Sequence, residues 1–392
     1  MKPVKHFLSL LFAVFALTTS AQETQCDEFL SLFEAGEYDK VVTLLNDCKK
    51  ADNLNQKTID EYDFYLQISY GYLEDFDNFD AERLEKLTED YVFRSNKNIV
   101  DAFVFLSHYY ANNSNYDKAT ELIETTLFFA KQHISFESEY YAVVLSILAD
   151  IHFSLGDYSK AIELGEQALF IHKEIHGVND SGYATLLYNL ASSHSSLGNY
   201  SKAVELGEQA LSIQKELFGE HHTDYTASLN NLASFYSSLG NYSKAVELGQ
   251  QALVILKKLF GENHPNYAIS LSNLAAFNAE LGNYQKAVEL GQQALVIRKE
   301  LFGEHHPNYV NSISNLAGYH SSLGDYSKAV QLEQQALVIV KELFGEHHPE
   351  YAISLNNLAA YHSSLGDYSN AVQLAQRALV IQKEVNGENH PD

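Results

Sequence analysis

A 42-residue period runs through most of the chain and limits the folds that the chain can adopt. Glycines recur at this spacing, and each is followed two residues later by a tyrosine. The glycines are Gly156, Gly198, Gly240, Gly282, Gly324 and Gly366. Weaker copies of the pattern surround Tyr116, Phe79 and Tyr38, so we predict nine units in all. A fixed period of this length is typical of arrays built from stacked supersecondary units.

A single unit, from His264 to Glu304, predicts two helices joined by a tight turn. Pro265 suits the first turn of a helix, where its missing N–H would be unpaired anyway. Apolar residues then follow at helical spacing, and Gly282 is the residue type that ends a helix in the left-handed conformation. A second helix with its own apolar stripe begins near Tyr284. One hairpin cannot bury its apolar face alone, so the sequence predicts an all-α fold of stacked hairpins.

The repeated pattern resembles the tetratricopeptide repeat, in the 42-residue form similar to kinesin light chain repeats. In one unit the resemblance is carried by Leu274, Ala275, Gly282, Tyr284, Ala287 and Ala294. It implies a right-handed α-solenoid of stacked helix–turn–helix repeats, with the first helix of each repeat lining a concave groove that binds peptides.

The second helices depart from the family pattern at one position. The family has a bulky residue there, whereas this chain has Gly165, Gly207, Gly249 and Gly291. Glycine inside a helix costs roughly 1 kcal/mol relative to alanine. We therefore interpret the recurrence as a sign of close packing between neighbouring helices.

The predicted groove carries asparagines in register. They are Asn189, Asn231, Asn273, Asn315 and Asn357, with Asn230 and Asn356 one residue earlier in two repeats. An asparagine amide both donates and accepts hydrogen bonds, so a row of them can bind an extended peptide backbone. Alternatively, each asparagine ties neighbouring first helices together, and the two roles are compatible. The groove lacks the Lys and Arg with which similar proteins hold a terminal carboxylate, so we do not expect that binding mode.

Charge and motifs argue for a protein partner and against catalysis. The net charge is −25, which disfavours nucleic-acid binding because phosphate contacts need basic surface. The sequence contains no phosphate-binding loop and no hydrolase or metalloprotease motif. The recurrent "EHH" and "ENH" segments could offer metal ligands, but we interpret them as parts of the turns between repeats. We therefore expect a non-catalytic protein–protein interaction scaffold that uses no metal or cofactor and binds a peptide or partner protein.

The N-terminus predicts export. Residues 1–21 combine two lysines, a short apolar run and small residues before a cleavage site, as signal peptides do. We divide the remainder into degenerate helical repeats at 22–133 and regular 42-residue repeats at 134–392. No later stretch is apolar enough to span a membrane. The expected location is periplasmic or extracellular, as for exported bacterial proteins with such repeats.

The two cysteines of the chain, Cys26 and Cys48, lie in the first segment after the predicted cleavage site. They would stand at the neighbouring ends of an antiparallel helical hairpin, and exported proteins meet oxidising conditions. We therefore predict a disulfide between them, with two buried thiols as the alternative.

The last unit shows no polar capping helix, although repeat arrays normally finish with one. The segment at 387–392 repeats the lead-in to a further unit. Truncation of a longer array, continuation into another domain and end-to-end self-association would each explain this, and we favour truncation. The alternative function is therefore a sensor or regulatory region that precedes an enzymatic domain, either protease-like or a signalling kinase.

Overall fold

The computed structural model describes residues 29–49, 56–72, 80–90, 96–113, 115–136 and 138–386. The predicted signal peptide and Cys26 lie outside the described residues. Cys48 is buried, and its pairing with Cys26 stays a prediction. None of the described helices is both long enough and apolar enough to cross a bilayer.

The described residues form eighteen α-helices and no strand. They are α1 (Phe29–Glu34), α2 (Tyr38–Cys48), α3 (Gln56–Tyr72), α4 (Ala81–Asp90), α5 (Asn96–Asn112), α6 (Tyr116–His133), α7 (Glu139–Ser154), α8 (Tyr158–His176), α9 (Ser181–Ser196), α10 (Tyr200–Phe218), α11 (Thr223–Ser238), α12 (Tyr242–Phe260), α13 (Pro265–Glu280), α14 (Tyr284–Phe302), α15 (Pro307–Ser322), α16 (Tyr326–Phe344), α17 (Pro349–Ser364) and α18 (Tyr368–Asn386). The helices follow one another as nine antiparallel pairs, which confirms the prediction of an all-α solenoid of helix–turn–helix repeats.

The described residues divide into two compact units, one ending at Ala168 and the other beginning at Leu169. The core of the first unit combines aliphatic side chains with aromatic rings, and Phe29 packs edge-on against Tyr62 and Tyr65. Beside it, Arg83 on α4 donates to the carboxylates of Asp60 (2.7 Å) and Asp63 (2.9 Å) on α3. These neighbouring charges raise the pKa of the Arg83 guanidinium. The irregular repeats thus hold together through rings and charges that the 42-residue pattern does not specify.

The second unit follows the repeat pattern closely. Each second helix packs against the first helix of its own repeat and against the first helix of the next one. At the contact between α13 and α14, Ala287 and Ala294 on α14 are fully buried, as are Leu271 and Ala275 on α13. Small residues on the second helices and leucines on the first helices therefore contribute to one continuous core that extends from Leu256 to Ile381.

The turn inside each regular repeat depends on its glycine. Gly282 has a φ of 85°, a conformation that a side chain disfavours. Its N–H donates to the carbonyl of Ala279 (2.9 Å), and the N–H of Asn283 reaches back to the carbonyl of Asn278 (2.7 Å). These bonds pair the carbonyls that the end of α13 would otherwise leave unsatisfied. The predicted role of this glycine is confirmed.

The glycines inside the second helices lie at the contact with the first helix of the following repeat. A Cβ added at Gly207 would lie 3.0 Å from Cδ2 of Phe235 and 3.1 Å from Cδ1 of Leu232, both on α11. At Gly249 the nearest atoms, which belong to Leu274 and Phe277, would be 3.4 Å away. The packing interpretation of these glycines is therefore correct at both positions, and the approach is tighter at Gly207.

This difference predicts opposite outcomes for two alanine substitutions. G249A gains helix propensity worth up to about 1 kcal/mol and meets only ordinary contacts, so the midpoint of urea-induced unfolding should rise. G207A gains the same propensity but forces Phe235 and Leu232 to move, so its midpoint should stay level or fall. A G207A midpoint at or above that of G249A would contradict the packing account.

Candidate functional site

The first helices of the second unit form the surface on which the predicted site lies. Helices α9, α11 and α13 each contact the next first helix in the series. We call the surface formed by α9, α11, α13, α15 and α17 the first-helix face. All seven predicted asparagines lie on these five helices.

Four of the seven asparagines keep their side-chain amides available on this face. Asn315 and Asn356 are exposed, and Asn231 and Asn273 are half-buried. Within the described part of the chain, none of these four amides forms a hydrogen bond to another group. Asn189 is half-buried and has an interaction partner. The structure therefore presents Asn231, Asn273 and Asn315 in register on three successive repeats.

Asn230 has the alternative role, in which its side chain links two neighbouring first helices. Its Oδ1 accepts a hydrogen bond from the hydroxyl of Ser270 on α13 (3.1 Å). Ser270 is fully buried, so the bond satisfies a hydroxyl that would otherwise be desolvated without a partner. The two roles that the sequence left open are thus divided among different asparagines.

Asn357 has a different partner, a buried carboxylate. Its Nδ2 donates to Oε1 of Glu333 on α16, and so does the hydroxyl of Ser314 on α15, each at 3.4 Å. Glu333 is completely buried. Burial raises the pKa of the Glu333 carboxyl, and the neutral side chains of Asn357, Ser314 and Ser354 offset this only in part.

Serines on the first-helix face mostly bond to their own helices. The hydroxyl of Ser192 donates to the carbonyl of Tyr188, and that of Ser234 donates to the carbonyl of Asn230. The hydroxyl of Ser272 does the same with Ala268. Because these hydroxyl protons are already used, the asparagine amides are the stronger candidates for binding a ligand backbone.

The histidines between repeats act as helix caps. Nδ1 of His264 accepts from the N–H of Asn266 (3.2 Å), and its ring stacks on Phe260 with ring centroids 4.2 Å apart. The same cap and stack recur at His222, His306 and His348. Within the described residues no group of three or more His, Cys, Asp or Glu side chains is arranged to hold a metal ion. The recurrent histidines therefore have a structural role, at the turns where the sequence placed them.

Sequence reasoning did not single out Glu333, although a signal was present. Glu333 stands 42 residues after Gly291, in the column that holds glycine in the preceding regular repeats. The sequence predicted close packing for this column, but it did not predict how a glutamate could fit there. The structure shows that the neighbouring first helices supply the space and the hydrogen-bond donors.

Comparison with known families agrees with the fold. Family models described as "Tetratricopeptide repeat" match residues 140–216, 224–300, 268–342 and 352–392. No curated protein matches the sequence significantly.

Several solved structures are similar to this chain. The apo form of RapI has a TM-score of 0.62 and 16% identity, over 94% of this chain and 99% of RapI. A Rap protein complexed with Competence and Sporulation Factor has a TM-score of 0.55 and 15% identity, over 93% and 98% of the two chains. A putative kinesin light chain from Podosopora anserina is 29% identical over 53% of this chain and 97% of its own, with a TM-score of 0.49.

The burial of Glu333 predicts a pH-dependent loss of stability. Since folding raises the pKa of this carboxyl, the folded chain holds the proton more tightly than the unfolded chain does. The stabilisation is therefore complete below about pH 4 and is lost as the pH rises through the raised pKa. E333Q cannot titrate, so its unfolding free energy relative to wild type should increase from pH 4 to pH 8.

Urea unfolding at a series of pH values measures this difference. E342Q is the control, since it removes an exposed carboxyl from the same helix. A difference between E333Q and wild type that stays constant with pH, or shrinks as the pH rises, would refute the assignment.

Proposed function

We propose that this chain, which belongs to the tetratricopeptide repeat family, is a non-catalytic scaffold that binds an extended peptide or a peptide-like segment of a partner protein on its first-helix face. The observation that carries the proposal is the set of amides on Asn231, Asn273 and Asn315. They recur at one position of three successive repeats and form no hydrogen bond within the described part of the chain. Asn356 adds a further such amide on α17.

The chemistry of these amides suits a peptide backbone rather than a set of side chains. One amide can accept from a peptide N–H and donate to a peptide C=O, whatever the peptide sequence. The surroundings are mainly serine and alanine, which offer few deep pockets for apolar anchors. We therefore expect broad selectivity over most of the face.

Proteins of the same fold give this proposal a precedent. One Rap structure holds Competence and Sporulation Factor, and another similar structure is the apo form of the quorum sensor NprR from B. thuringiensis, with a TM-score of 0.60, 14% identity and coverage of 92% and 98% of the two chains. At these identities the likeness extends to the fold alone, so their ligands do not identify the ligand of this chain.

We also propose that the protein acts outside the cytoplasm, which rests on the sequence of residues 1–21 alone. The acidic net charge of −25 favours basic or neutral partners over acidic ones.

Three simultaneous substitutions test the binding face. Random dodecapeptides displayed on phage would be selected on the wild-type chain, and the affinity of the selected peptides would be measured by titration calorimetry. The N231A, N273A and N315A triple variant should bind them about tenfold more weakly or worse, because each lost hydrogen bond is worth roughly 0.5–1.5 kcal/mol.

The chain offers a matched control in the same repeats. Q250A, Q292A and Q334A remove three exposed amides that are also 42 residues apart, but from the second helices. This variant should bind as wild type does. Failure to select any peptide, or equal weakening by both triple variants, would contradict the proposal.

A second candidate function, end-to-end self-association, is favoured by α18, the last described helix. Val372 and Leu379 on α18 are 55% and 50% exposed, whereas their counterparts Val330 and Leu337 on α16 are half-buried under the next repeat. An apolar face of this kind can accept another helical hairpin.

Sedimentation velocity over a wide concentration range tests the second candidate. We expect a concentration-dependent dimer that the V372Q and L379Q double variant abolishes. The V296Q and V338Q double variant serves as the control, because it removes exposed valines from the second helices of internal repeats. A wild-type chain that stays monomeric at every concentration would rule this function out.

A further inference from the structure

Glu333 is unlike every other charged residue of the described chain. It is the only Asp, Glu, Lys or Arg among the buried residues of the part that the structure describes, and its exposure is 0%. It replaces the glycine that stands at the same column in the preceding repeats, where a Cβ alone would already touch the next first helix. A buried carboxylate at such a position needs both space and partners.

The space comes from changes in the two adjacent first helices. At Gly291 the added Cβ would lie 3.2 Å from the ring of Tyr319, which is buried against α14. The equivalent ring beside Glu333 belongs to Tyr361, which is only half-buried. Its hydroxyl lies 3.7 Å from the position that a Cβ at Gly318 would take, and the other repeats of the second unit have serine or alanine in place of Gly318. The hydroxyl of Tyr361 thus lies beside the glycine of the preceding first helix, which leaves room for it.

The partners of Glu333 are incomplete. Oε1 accepts from Ser314 and Asn357, both at the long distance of 3.4 Å, whereas Oε2 has no hydrogen-bond partner. Both donors are neutral, and so is the neighbouring Ser354 hydroxyl. The titratable neighbour, Tyr361, has its pKa raised to about 12 by burial and by the charge of Glu333. The pocket thus has one free acceptor and an uncompensated negative potential.

The carboxylate lies directly below the first-helix face. Ser314 and Asn357, which cover it, are half-buried, and the neighbouring Asn315 and Asn356 are exposed. Because the bonds at 3.4 Å are weak, the Asn357 amide can rotate away from Glu333 at little cost in free energy.

We propose that Glu333 anchors a cationic side chain, an ammonium or a guanidinium group, of a peptide bound on the first-helix face. This inference rests on the proposed function, since it assigns one specific contact within the same binding face. A neutral donor could pair with Oε2 but would leave the charge uncompensated. A cation both donates to Oε2 and neutralises the carboxylate, so it suits the site best. The last two described repeats then select for Lys or Arg at one peptide position.

Parallel selections test this anchor. The same phage library of random dodecapeptides would be selected on wild type, on E333G and on E333Q. E333G restores the residue of the preceding repeats, and E333Q keeps the size of the side chain without its charge. E342Q, which removes an exposed carboxylate from the same helix, controls for general attraction of basic peptides to an acidic protein. Circular dichroism and thermal unfolding verify that each variant is folded.

We expect peptides selected on wild type and on E342Q to share Lys or Arg at one position. Replacing that residue with norleucine should weaken binding to wild type about tenfold or more, and should change binding to E333G and E333Q less than twofold. The anchor is wrong if the recovered peptides depend on the asparagine amides but show no preference for Lys or Arg that is lost on E333G and E333Q. The proposed function would then still stand. Recovery of no peptides from any of the four proteins would overturn both.

Discussion

The second unit depends on the close approach between each second helix and the first helix of the next repeat. Alanine and glycine on the second helix allow it, and leucines and an aromatic ring on the first helix fill the space. A helix pair cannot bury its apolar face without this contact to the neighbouring pair. It also fixes the spacing of the first helices, and with it the register of the asparagines on the first-helix face.

Glu333 shows what happens when one position in this interface changes. The glutamate needs more volume than glycine, and the structure accommodates it through the outward position of Tyr361 and the glycine at 318. The exchange introduces a charge in a place where the repeated contact is otherwise apolar. A departure from the repeat thus distinguishes one site on a surface that is otherwise nearly uniform. In the binding mode that we propose, this site selects the ligand.

Much of the fold could be predicted from the sequence because it is local and repeated. The period, the turn glycines such as Gly282 and the helix start at Pro265 all act within a few residues. The role of each asparagine could not be predicted, since Asn230 and Asn357 are distinguished from Asn273 by partners that lie 40 and 24 residues away in the chain. The environment of Glu333 depends on three helices at once. The capping role of His264 was also missed, although its place in the turn was correct.

The central claim is that the first-helix face, and not the second helices, binds the ligand. A crystal structure of the full chain with one of the selected dodecapeptides tests it most directly. We predict an extended peptide across α11, α13 and α15, with backbone atoms within about 3.2 Å of the amides of Asn231, Asn273 and Asn315. A peptide lying on the second helices, or one on the first-helix face that leaves these amides without contact, would contradict the account.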